Sequence, residues 1–164
     1  MLRARRWWLA LACVVVALDQ ATKSWALGAL DNGRTVHVVW TLRFALGFNS
    51  GMAFSRAEGW GPVIGVAATL VLVYLLASLR RAGSAVSLAG LSLVIGGACG
   101  NLLDRLFRGD AWMRGSVVDF IDLQWWPVFN VADSAISVGA VLLVLAAFRD
   151  PTRSVGATAE PSPQ

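Results

Sequence analysis

Aspartate is the side chain best placed to do chemistry in this sequence. His37 is the only histidine, so a His-centred metal site or a Ser-His-Asp triad has little to build on. Neither GxSxG nor HExxH occurs. Cys13 and Cys99 each sit inside an apolar run and read as small hydrophobes. Acidic residues, by contrast, are concentrated: eight of the ten lie between Asp19 and Asp133, and only Asp150 and Glu160 lie beyond. Asp119 stands between Val118 and Phe120, and such an apolar setting should raise its pKa. Asp133 follows it by 14 residues, which one continuous helix would stretch to about 21 Å. Trp125-Trp126-Pro127 interrupts that helix and lets the chain double back, so the two carboxylates can meet. Two carboxylates sharing one proton can activate water against an amide. The residues alone leave other pairings open, Asp119 with Asp104 or Asp122 with Asp133. The same groups could also relay protons in a small transporter.

Other polar residues fall on shared helical faces. Asp19, Thr22 and Lys23 lie together, with Asp19 and Lys23 an i,i+4 ion pair; the simplest expectation is a structural pair with Lys23 reaching to the interface. Gly96, Gly97, Gly100, Asn101 and Asp104 fall within an arc of roughly 140° at 100° per residue. Gly96 and Gly100 make a GxxxG step that lets another helix come close, and Asn101 with Arg105 could hold a substrate backbone or a headgroup. Asn130, Asp133, Ser134 and Ser137 share an arc of roughly 100°. Asn130 reads as a helix N-cap, which explains that residue better than it explains Asp133.

The elements that must position these groups are membrane spans. Of 164 residues, 57% are hydrophobic and 15% charged, against about 25% charged in soluble domains. Mean hydropathy is +0.63. A soluble fold of this composition would expose too much apolar surface, and disorder, collagen and a disulfide scaffold are excluded as well. Four apolar stretches, at about 7–30, 60–79, 82–105 and 130–148, are each long enough to cross a bilayer. The first could also head a cleaved signal peptide, but its apolar pattern continues past Asp19 without a small-x-small site. The chain therefore reads as one integral domain, residues 1–153, with a disordered tail at 154–164. Arg3, Arg5 and Arg6, then Arg80 and Arg81, then Arg149 and Arg153 flank the spans on one side. The positive-inside rule makes both termini cytoplasmic and puts the outer segments, about 31–59 and 106–129, on the opposite face. The 13 arginines are scattered among apolar runs, with no basic stripe for nucleic acid.

In the outer segments, Thr35 to Phe44 alternates as a strand, and Ser116 to Ile121 is a second β-like run. Trp112, Trp125 and Trp126 suit the headgroup level. A small sheet lying on the outer leaflet follows.

Taken in order, five blocks resemble bacterial lipoprotein signal peptidase, the signal peptidase II family. They are Asp19-Gln20-Ala21-Thr22-Lys23, Asn49-Ser50-Gly51-Met52-Ala53-Phe54, Gly96-Gly97-Ala98-Cys99-Gly100-Asn101-Leu102-Leu103-Asp104-Arg105, Val117-Val118-Asp119-Phe120-Ile121 and Phe129-Asn130-Val131-Ala132-Asp133. The resemblance implies a mainly α membrane protein of four transmembrane helices, with an extracytoplasmic β-cradle and a short outer helix led into by Asn49 to Phe54. It implies an aspartic endopeptidase of the inner membrane with its site near the outer face. Such an enzyme removes the signal peptide from diacylglyceryl-modified prolipoproteins, cutting just before the lipidated cysteine. It needs no metal or cofactor. Matched motif by motif, Asp119 and Asp133 are the catalytic dyad; Asn49, Asn101, Arg105 and Asn130 line the site and hold substrate; Asp19, Lys23 and Asp104 support it. Expected partners are the lipid-modified substrate and membrane lipids, with the chain acting as a monomer and binding no nucleic acid. Asp122 receives no role.

Overall fold

A computed structural model describes residues 2–50, 61–80, 82–110 and 112–149. Four helices, α1 (Leu2–Ala29), α2 (Gly61–Leu79), α3 (Ala85–Phe107) and α4 (Val131–Arg149), are long and apolar enough to cross a membrane. They follow the four apolar stretches to within a few residues at each end. Ser84 starts α3: its hydroxyl accepts from the Ser87 N–H at 3.0 Å, satisfying one of the helix's open donors.

Small residues set the helix spacing. A Cβ on Gly96 would fall 2.8 Å from the Ala12 carbonyl of α1, and one on Gly97 would strike the Ala132 carbonyl of α4. α3 is thus gripped on two sides by backbones that only glycine admits this close, as the GxxxG step implies. Around this spine the buried apolar set is thin. Ala12, Leu79, Leu91 and Ile95 form one cluster; Ala26, Leu30 and Phe120 form a second beneath the sheet. Outward faces such as Val14, Leu70 and Val141 remain exposed, as lipid-facing residues should.

The sheet corrects one expectation. The alternating run at 35–44 is two strands, β1 (Thr35–Val39) and β2 (Leu42–Asn49), reversing at Trp40-Thr41. The reversal was hidden because neither turn residue is a Gly, Asn or Asp. The third strand, β3 (Val117–Asp122), pairs antiparallel with β2, giving the order β1-β2-β3. After β3 the chain doubles back through Trp125-Trp126-Pro127, and Phe129 bridges to Ile121 before α4 begins. The expected outer helix after Asn49 and the tail 154–164 lie outside the described residues.

Candidate active site

The polar residues singled out in the sequence gather where the sheet meets the ends of α1 and α3 and the start of α4. β3 brings Asp119, which is 4% exposed. It comes to lie there because the loop before β3 packs directly on α3: a Cβ on Gly115 would strike the Asp104 carbonyl, and the Gly115 N–H donates to the Arg105 carbonyl at 3.0 Å. The Val118 N–H then donates to Asp104 Oδ2 at 3.1 Å, which pins the residue next to Asp119. β2 runs alongside, and its last residue, Asn49, gives Asp119 a side-chain hydrogen bond.

α4 supplies Asn130 and Asp133 as a reciprocal capping box. The Asp133 N–H donates to Asn130 Oδ1 at 2.9 Å, and the Asn130 N–H donates to Asp133 Oδ2 at 3.2 Å. Capping therefore accounts for both residues. It also orients the Asn130 amide, since committing Oδ1 to the helix turns Nδ2 outward. That Nδ2 donates to Asp119 Oδ1 at 2.7 Å. One fully buried asparagine thus links the two carboxylates, through its side chain to Asp119 and its backbone to Asp133. On the other side, Asn101 Nδ2 donates to Asp133 Oδ1 at 2.8 Å.

Lys23 fixes Asn101. Its ammonium, fully buried, donates to Asn101 Oδ1 at 2.9 Å and lies 2.8 Å from Asp19 and 2.9 Å from Asp104. An ammonium can only donate, so Oδ1 must face it and Nδ2 must face Asp133. The expected Asp19–Lys23 ion pair is present, and the Lys23 ammonium is buried within the bundle, where Asp104 and Asn101 complete its shell. Asp19 Oδ1 accepts the Ala132 N–H at 2.9 Å, so it too holds the start of α4. Two residues of this network escaped the sequence reading. Gln20 Nε2 donates to Asp104 at 3.0 Å and to the Gly100 carbonyl at 3.1 Å, and Arg108 Nε donates to Asp104 Oδ1 at 2.8 Å. The i,i+4 spacing of Asp104 and Arg108 was the available signal. With Arg108, the two carboxylates of Asp19 and Asp104 face two cations, so this cluster is close to neutral.

The pair facing Asn130 is not neutralised in this way. Burial, then the neighbouring Asp133 carboxylate, push Asp119 up to about 6, against the Asn130 and Asn49 hydrogen bonds and the more distant Lys23. Arg105 is buried and interacts electrostatically with Asp119, Asp104 and Asp133. Its Nη1 is buried without a hydrogen-bond partner among the described residues. Asp122 stands apart: its Oδ2 accepts from Arg43 Nε at 2.7 Å and its Oδ1 from the Gln124 N–H at 2.6 Å. Asp104 is taken up by Lys23, Gln20, Arg108 and Val118. Of the pairings the sequence left open, the carboxylates linked through one residue, Asn130, are Asp119 and Asp133.

Four spans around paired carboxylates define a membrane enzyme of the aspartic type. Residues 11–149 match the family described as Signal peptidase (SPase) II. A lipoprotein signal peptidase of Mycobacterium leprae is 45% identical over 144 residues, covering 87% of this chain and 72% of that one. One of Mycobacterium avium is 44% identical over 144 residues, covering 87% and 79%. A solved structure described as a bacterial membrane enzyme determined by the in meso method superposes with a TM-score of 0.78 at 26% identity, covering 93% of this chain and 94% of that one. The chain belongs to the signal peptidase II family. It is an aspartic peptidase and a multi-pass protein of the bacterial inner membrane, and the transporter reading is not favoured.

Proposed function

We propose that the protein removes signal peptides from prolipoproteins whose cysteine carries diacylglycerol, cutting the peptide bond just before that cysteine, with Asp119 and Asp133 as its dyad. The observation that carries this reading is the Asn130 bridge: two carboxylates from different elements accept hydrogen bonds from one buried residue, Asp119 from its side-chain amide and Asp133 from its backbone N–H, and Asp119 is pushed up to about 6. Asp119 then holds the proton and gives it to the scissile carbonyl oxygen. Asp133, whose oxygens accept two N–H bonds, takes a proton from water. The water oxygen attacks the carbonyl carbon, and collapse of the tetrahedral intermediate breaks the C–N bond as Asp133 passes its proton to the leaving amine and a hydroxyl of the intermediate returns a proton to Asp119, leaving a carboxylic acid. Asn49, Asn101, Arg105 and Asn130 hold the substrate; the unpartnered Nη1 of Arg105 offers a donor to a peptide carbonyl. Asp19, Lys23 and Asp104 keep these groups in place.

Residues 1–153 form one integral domain that acts as a monomer, without nucleic acid, and its partners are the substrate and the surrounding lipids. Both termini are cytoplasmic and the site is near the outer face, on the strength of Arg3, Arg5, Arg6, Arg80 and Arg81. Purified protein given a lipidated and an unlipidated form of one prolipoprotein tests the substrate. The lipidated form should be cut, with a released peptide ending at the residue before the cysteine. Equal cutting of both forms, or a cut elsewhere, would contradict the reading.

A further inference from the structure

The far end of β3 carries a second built cluster that the dyad does not use. Asp122 is a buried carboxylate held by Arg43 of β2 and by the Gln124 N–H. Gln124 reaches on, its Nε2 donating to the Thr41 carbonyl at 2.9 Å. These bonds tie the β1–β2 turn to the loop that follows β3. Each of the tied segments then presents tryptophan. Trp40 is 97% exposed, Trp125 68% and Trp126 59%, the last two meeting edge to face with centroids 6.2 Å apart.

The backbone is bent to allow this display. Trp40 at φ 55° and Gln124 at φ 68° both occupy the left-handed region, which favours glycine. A bulky residue there is an outlier that persists only when its surroundings over-determine it. At Trp40 the two-residue turn would ordinarily take glycine. An indole so exposed gives the fold almost no packing in return. Its apolar ring and N–H tip do suit one environment, the layer between headgroups and acyl chains. The loop is continuous with that layer: α4 enters its membrane span at Val131, five residues after Trp126.

The geometry points to an anchoring wedge in which Trp40, Trp125 and Trp126 insert into the headgroup–glycerol layer of the adjacent leaflet, with Asp122 as the positioning residue that joins the two loops. The partner is the phospholipid interface itself. Arg43 is already engaged by Asp122, so zwitterionic lipid suffices. The wedge holds the sheet, and with it the Asp119 end of β3 about 10 Å away, at a fixed depth. This inference needs α4 to span the membrane but does not depend on the substrate.

The test uses the full chain in phosphatidylcholine vesicles, with part of the lipid brominated near the carbonyls. The chain has eight tryptophans, so the difference in emission between wild type and the W40F/W125F/W126F variant reports the wedge. Most of that difference should be quenched by the shallow-brominated lipid and little of it by aqueous iodide. Quenching by iodide with none by brominated lipid would overturn the wedge. Asp122→Ala should abolish the lipid quenching of the three indoles while far-UV helicity is unchanged. Full lipid quenching in Asp122→Ala would overturn the positioning role.

Discussion

Asp119 and Asp122 are three residues apart on one strand, both buried, and their surroundings are opposite. Burial pushes Asp122 up, but the Gln124 N–H and the Arg43 guanidinium outweigh it and hold the carboxyl below its ordinary value. At Asp119 the same burial is joined by a second carboxylate, and the donors that answer it are neutral amides. The contrast shows that burial alone does not make a carboxyl reactive. The charge facing the carboxyl decides: a cation fixes its charge and makes a structural post, whereas a second carboxylate raises its pKa.

Removing the shared proton's owners should have the largest effect. Asp119→Asn and Asp133→Asn are each expected to lower turnover by roughly 10²–10⁴-fold, the usual worth of a general acid or base, with the helical circular dichroism unchanged. Next comes the neutralised cluster beneath the dyad. Lys23→Met leaves Asp19 and Asp104 without their central cation and should cost about 3–5 kcal/mol, read as a steep loss of thermal stability in detergent. Arg108 remains on Asp104, so Asp19 is the carboxylate left most exposed to this loss.

A pH series sharpens the comparison on the strand. The folded pKa of Asp119 is raised, so its stabilising contribution is complete below the ordinary carboxylate pKa and is lost as pH rises through about 6. Asp119→Asn removes the charged form altogether. Its melting temperature relative to wild type should therefore rise between about pH 4 and pH 7, by the equivalent of at most about 3 kcal/mol, and level off above that. A constant difference across that range would remove the raised pKa from the account. The smallest effect belongs to Asp122→Asn, which should keep turnover in detergent within about threefold of wild type, since its loss disturbs loops rather than the dyad.

Much of this was legible in the sequence, for identifiable reasons. The spans announce themselves because a lipid-facing helix needs an unbroken apolar run, and Gly96 to Gly100 marks a close helix contact without any structure. The hairpin was not legible, because Trp40 sits where glycine would have signalled a turn and the alternation of side chains continues across the reversal. The ambiguity over Asp122 was partly avoidable. An odd separation on a strand puts Asp119 and Asp122 on opposite faces, so the two could not both face Asp133. The identity of the supporting cluster needed the fold. Gln20 and Arg108 join it only because α1 and α3 run side by side, and no local pattern brings Gln20 to Asp104 across 84 residues. That Asn130 caps α4 was visible. That the same residue links two carboxylates was not, since it depends on where β3 sets Asp119.

The proposed dyad pairs Asp119 with Asp133 and excludes Asp122. Cleavage of a diacylglyceryl-modified prolipoprotein by purified wild type, Asp119→Asn, Asp133→Asn and Asp122→Asn proteins tests it most directly. Wild type and Asp122→Asn should cleave, and the other two should be slowed by at least about 10²-fold. Loss of cleavage in Asp122→Asn with normal turnover by Asp119→Asn or Asp133→Asn would contradict it.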